Sequence, residues 1–153
     1  MASASLSGGS AENFAGLAGT NMLTTTSQYL VVGLNPASTT ADFTFSVLDT
    51  TTTHAYALGI NQTFLSSGAA AQCNVRMLGI SKAIAGGTIT AGSPLVPSST
   101  GRVIVLAAGL TATAVSTTTH IQTIGWALED AATTGAELLI FVNPQLVVKT
   151  YAA

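Results

Sequence analysis

Residues 86–107 read GGTITAGSPLVPSSTGRVIVLA. The stretch holds one charge, Arg102, with four glycines and two prolines. Glycine permits the sharp turns such a segment needs. Pro94 and Pro97 lack an amide donor, which predicts an edge or a bend. The following RVIVLA, residues 102–107, is nearly continuous in apolar side chains, as in a buried strand. This is a rigid β-corner without visible chemistry. Its rhythm recurs along the chain, with apolar runs at roughly ten-residue spacing separated by Gly, Pro or Asn. The fold class expected is all-β: a small β-barrel or sandwich of short strands with a flexible N-terminal arm and little helix.

Downstream, HIQTIGWAL (120–128) and AELLIFV (136–142) are the strongest strands, joined by EDAATTG, and QLVVKTY (145–151) reads as a final strand. Trp126 is expected in the core, with an interface anchor as the alternative. Upstream, QYLVVGL (28–34) stops at the turn signal NPAS. In DFTFSVL (42–48), Phe43, Phe45 and Val47 share one face, and Thr44 and Ser46 the other. DTTTTH is expected to turn this strand into a hairpin with AYALGI (55–60). In NVRMLGIS (74–81), Val75 and Met77 fall on one side, and Arg76, Leu78 and Ile80 on the other. Residues 1–26, rich in small side chains, read as an arm, and 27–153 as the β-rich domain. Within the arm, AENFAGLAG is expected to be a flexible tail or one helical turn that orders on a partner, with Phe14 and Leu17 as anchors.

Composition excludes several classes. Hydrophobic residues make up 48%, enough for a core, and charged residues only 7%. That pairing is opposite to intrinsic disorder. No run of about 18 apolar residues occurs, so no membrane helix is expected. The net charge is −2, and Arg76, Lys82, Arg102 and Lys149 are scattered, which argues against nucleic acid. Threonine runs at 50–53 and 117–119 stand where charges usually keep a monomer soluble. A surface so poor in charge suits contact with other chains. Cys73 is the sole cysteine and has no internal partner, consistent with a reducing compartment. The N-terminus lacks a basic-then-apolar secretory pattern, so synthesis in a cytoplasm is expected.

Candidate chemistry is sparse. His54 and His120 lie beside threonine runs, far apart in sequence and without a nearby nucleophile. Glu129 and Asp130 are adjacent, so on a strand they would face opposite ways and could not flank a glycosidic bond. Glu137 reads as a strand edge, and Cys73 as a small half-buried thiol. Asn61-Gln62-Thr63 matches the glycosylation tripeptide, without a secretory signal to give it meaning. No catalytic residue, cofactor site or metal site is expected.

The stretches LGISKAIAGGTITAGSPLVPSSTGRVI and TIGWALEDAATTGAELLIFV carry a further pattern. An A-G-x-x-[IV]-x-A-G-x-x-[LV] segment occupies 85–95, followed by a Gly-bearing turn at Gly101. An [IV]-G-x-A-L-[ED] strand follows at 124–129, and a G-x-x-[LVI] strand at 135–140. In this, residues 78–142 resemble the capsid decoration, or cement, proteins of tailed bacteriophages. The resemblance implies a structural virion protein on the outer surface of an icosahedral head. It would stabilise that head, often as a homotrimer at three-fold and quasi-three-fold positions. Its partners would be the major capsid protein and itself, with no nucleic acid and no membrane. The protein would be made in the host cytoplasm and end on the capsid exterior. Phe14, Leu17, Tyr29, Leu30, Val31 and Val32 are the contact residues expected. The alternatives are a head-fibre or receptor- or carbohydrate-binding module, and a main shell or filament subunit.

Overall fold

Nine strands, and no α-helix, are found among the described residues. The computed structural model describes residues 12–19, 22, 27–34, 44–48, 57–64, 72–98, 100–106 and 118–150, the side chains of 118–121 and 146–150 excepted. The strands are β1 (Glu12–Ala18), β2 (Val31–Leu34), β3 (Thr44–Val47), β4 (Ala57–Asn61), β5 (Gln72–Ile84), β6 (Pro94–Pro97), β7 (Val103–Val105), β8 (Thr118–Ala127) and β9 (Glu137–Thr150). The all-β class is as the sequence implies.

β5 organises the pairings. Its alternation is regular, with Cys73, Val75 and Ala83 buried, and Gln72, Asn74, Ile80 and Lys82 exposed. The first half joins a closed five-stranded ring, β1-β3-β2-β4-β5, which β1 seals by pairing with both β3 and β5. The second half pairs with β9 from Gly79↔Val142 to Ile84↔Glu137 and opens the second sheet, β5-β9-β8-β6-β7. A parallel bridge, Ala85↔Val103, and a Gly86 N–H donating to Val103 O at 2.7 Å bring β7 back to the end of β5.

Two cores result. Ala18, Met22, Val32, Phe45, Cys73 and Val75 form the one built on the ring strands. The other joins Val31, Leu48, Ala57 and Ile60 of the ring side to Leu95, Val103, Ile124, Leu138, Ile140 and Val142 of the second sheet. Val31 and Val32 therefore point to opposite cores, and both are 0% exposed. Burying each stabilises the fold by about 1.5–3 kcal/mol.

Several expectations are corrected. Glu12–Ala18 lies in the stretch read as a flexible arm or helical turn, yet it is a barrel stave. Six of its residues pair with β5, and Phe14 meets Phe45 edge to face with ring centroids 6.1 Å apart. β3 and β4 do not form a hairpin with each other. β2 lies between them, with Val32 paired to Val47 on one side and Gly59 on the other. This place pairs both edges of β2, while the two cores cover its two apolar faces. Ser46, on the face opposite Phe45, is buried as well, beside Gly19, whose N–H donates to Phe45 O at 2.7 Å. β6, with its two prolines, is interior, paired to β7 and β8. The prolines hold its first and last positions, and the Pro94 carbonyl still accepts from Leu106 N–H at 2.8 Å. Of β7, only Val103 is wholly buried.

β8 and β9 pair as expected, but β9 runs on through Asn143 and Pro144 as one strand of 14 residues. Thr123 pairs with Gln145 and Gly125 with Val142, so one residue of β8 faces two of β9. This bulge absorbs the proline. It also brings Gly125, at φ 150°, so near the Phe141 carbonyl that a Cβ would overlap the oxygen. Gly125→Ala should destabilise the chain by about 3 kcal/mol. Gly87→Ala, where a Cβ meets nothing within 4 Å, should change stability little. Urea unfolding of the two variants checks the difference.

Candidate interaction surface

The outer face of the second sheet is apolar where a solvated face is usually polar. The registers Ile80↔Phe141, Phe141↔Trp126 and Trp126↔Pro94 lay four strands' side chains in one row. The Leu106 N–H to Pro94 O bond extends the row to the end of β7. Beside it, Leu139 is opposite Lys82, and the Leu128 N–H donates to Leu139 O at 2.9 Å. Ile80 is 53% exposed, Trp126 51% and Leu128 45%. A contiguous patch of this kind on a small domain marks a contact surface. Tryptophan is the side chain most enriched at the energetic centre of such contacts.

Trp126 was expected inside. Ile124, Trp126 and Leu128 share parity, so strict alternation would bury all three or none. The bulge between Thr123 and Gly125 breaks the alternation, leaving Ile124 in the core and turning Trp126 and Leu128 outward. The only signals for this in the sequence are Gly125 and the Asn143-Pro144 pair opposite it.

The other expected contact residues are dispersed. Phe14 is 39% exposed on β1, and Leu17, Tyr29 and Leu30 are half-buried. Val31 and Val32 are enclosed in the two cores, so their side chains offer a partner no surface within this chain. None of these six lies on the apolar row of the second sheet.

The polar candidates have structural partners. Glu129 Oε2 accepts from Leu139 N–H of β9 at 3.0 Å, and Asp130 Oδ1 from Ala91 N–H of the turn before β6 at 2.7 Å, so both carboxylates tie backbone. Asn61 is buried, and its Nδ2 donates to the Ser27 and Thr63 carbonyls, which leaves the glycosylation tripeptide unreachable. Glu137 pairs with Lys82 at 2.8 Å on the surface. Burial pushes the Cys73 thiol up to about 11, against a partial offset from a backbone hydrogen bond, so it is protonated at neutral pH. Among the described residues no three His, Cys, Asp or Glu side chains stand together as a metal site would need. His54 lies outside the described residues, as does the side chain of His120.

No protein-family model matches the chain, and no curated protein matches it. Among solved structures, the chain is similar to the head fiber gp8.5 N base of bacteriophage phi29. The likeness covers 88% of this chain and 95% of that one, at 18% identity and a TM-score of 0.55. At that identity, what the two share is the fold.

Trp126 is the sole tryptophan. In the isolated chain its fluorescence should be red-shifted and quenched by iodide, and Trp126→Ser should change stability by less than about 1 kcal/mol. The raised Cys73 value means the folded state holds a proton that the unfolded chain releases, so stability falls as pH rises from 9 towards 11. Thermal melts over that range should show a shallower decline for Cys73→Ala.

Proposed function

We propose that this chain is a structural protein of a tailed-phage head, seated on the outside of an icosahedral shell by the apolar face around Trp126. The observation that carries the reading is the likeness of fold to a phage head-fiber base. The sequence pattern over residues 78–142 supports it independently of that fold. In this reading the partner is the major capsid protein, the location is the virion exterior, and the role is stabilising and non-catalytic.

The physics of such a seat follows from the surface. Contact through Ile80, Trp126, Leu128 and their neighbours draws on apolar burial, which salt does not screen. Many modest contacts over a lattice add by avidity. A closed three-fold arrangement would suit three-fold positions on the shell. The likeness also supports a second reading, in which this fold seats a projecting fiber. Negative-stain images of decorated heads separate the two, a low boss from a projection.

Co-sedimentation with heads lacking this protein tests the seat. Binding should persist from about 50 to 500 mM salt, and Trp126→Asp and Ile80→Asp should each weaken it at least roughly tenfold. Absence of binding at both salt concentrations would reject the proposal.

A further inference from the structure

A groove of about 490 Å³ lies beyond the Lys82 end of the apolar face, a volume within the range of about 300–1,000 Å³ usual for small-molecule sites. Gln28, Tyr29, Phe64, Thr100, Arg102 and Glu137 line it. They come from four separate parts of the chain, which backbone hydrogen bonds bring together.

Tyr29 is the one described non-glycine residue with positive φ, at 64°. Strain of this kind persists only where surrounding bonds impose it, and it gathers at ligand sites. Here the Tyr29 N–H donates to Asn61 O at 2.8 Å, and its carbonyl accepts from Ile84 N–H at 3.2 Å. Gln28 Nε2 donates to Gln62 O at 3.0 Å, leaving its carbonyl oxygen to accept. Thr100 and Arg102 stand on the β6–β7 turn. There the Ser98 N–H donates to Arg102 O at 2.7 Å, and Val31 N–H donates to Gly101 O at 2.6 Å. Gly101 has φ 72°, and a Cβ there would overlap Val47. The turn is thus clamped against β2, and Arg102 with it.

The electrostatics select a ligand class. The chain has only four Lys and Arg residues; Arg102 lines this groove, and Lys82 stands against two of its lining residues, Tyr29 and Glu137. Lys82 is committed: its Nζ donates to Glu137 Oε2 at 2.8 Å and sits 5.6 Å from the Tyr29 ring centroid. Arg102 makes no ion pair among the described residues, which leaves the groove with one unmatched positive charge. Phe64, 59% exposed, offers an open aromatic ring at the rim. An exposed ring packs on the apolar face of a sugar. Amide, hydroxyl and carboxylate groups around it match a ligand rich in hydroxyls, and a free guanidinium matches a carboxylate or phosphate.

We infer that this groove binds an anionic sugar residue, with Arg102 on its acid group, Phe64 under its ring, and Gln28, Thr100 and Glu137 on its hydroxyls. The inference does not rest on the seat proposed above, because none of these residues lies on the apolar row around Trp126.

Saturation-transfer NMR on the full chain, with glucuronic acid, glucose 6-phosphate and glucose as probes, tests it. At least one of the two acids should bind, at least roughly tenfold more tightly than glucose, and the stronger one identifies the acid group as carboxylate or phosphate. Arg102→Met should bring the acids down to the level of glucose, and Phe64→Ser should abolish binding of all three. Both side chains are at the surface, and amide spectra of the variants report whether the fold is kept. Arg76→Gln, which removes a cation outside the groove, should leave binding unchanged. No transfer from any probe, equal binding of glucose and the acids, or undiminished binding in Arg102→Met would overturn the assignment. Head co-sedimentation of Arg102→Met should match that of the unsubstituted chain, so the two proposals fail separately.

Discussion

The fold depends on the backbone pairing of one strand. β5 supplies thirteen residues whose amides and carbonyls serve β1 and β4 in its first half and β9 in its second. Buried backbone groups must be paired, and a strand this long can satisfy that need in two sheets at once. The small side chains at Cys73, Gly79, Ser81 and Ala83 on its inward row let both cores close against it. Without β5 the ring would lack its closing stave, and the second sheet its link to the ring.

A second constraint works at finer scale. The bulge between β8 and β9 gives Pro144 a place inside a long strand and changes which side chains face out. One unpaired step turns Trp126 from core filler into the centre of an apolar surface. The groove has a similar origin, because the strained corner at Tyr29 and the clamped turn at Gly101 both arise where the ring meets the second sheet.

Much of the strand content was legible locally. The alternation in β5 and the β8–β9 pair both follow from side-chain period and turn residues. Pairing order was not legible. β3 and β4 look like a hairpin because a threonine-rich link joins them, yet β2 takes the place between them by pairing one edge with each. Glu12–Ala18 reads as flexible because its residues are small, and small residues also suit a stave that packs closely in a ring. The burial of Val31 and Val32 was not legible either, since both are apolar at a strand start, whether that strand is interior or exposed.

The sequence by itself determined the all-β class, the scarcity of charge, and a chain with few groups able to do chemistry. These follow from composition and period, which are local properties. Only the tertiary structure decided which apolar side chains are core and which are surface, and which scarce charges stand together. Trp126 and Ile80 are exposed because register and a bulge put them there. Arg102 borders the same groove as Glu137, 35 positions away in sequence, because β7 returns to the end of β5 through the bridge at Ala85. Register and ring closure are long-range properties, set by which strands satisfy one another's hydrogen bonds, and no window of sequence contains them.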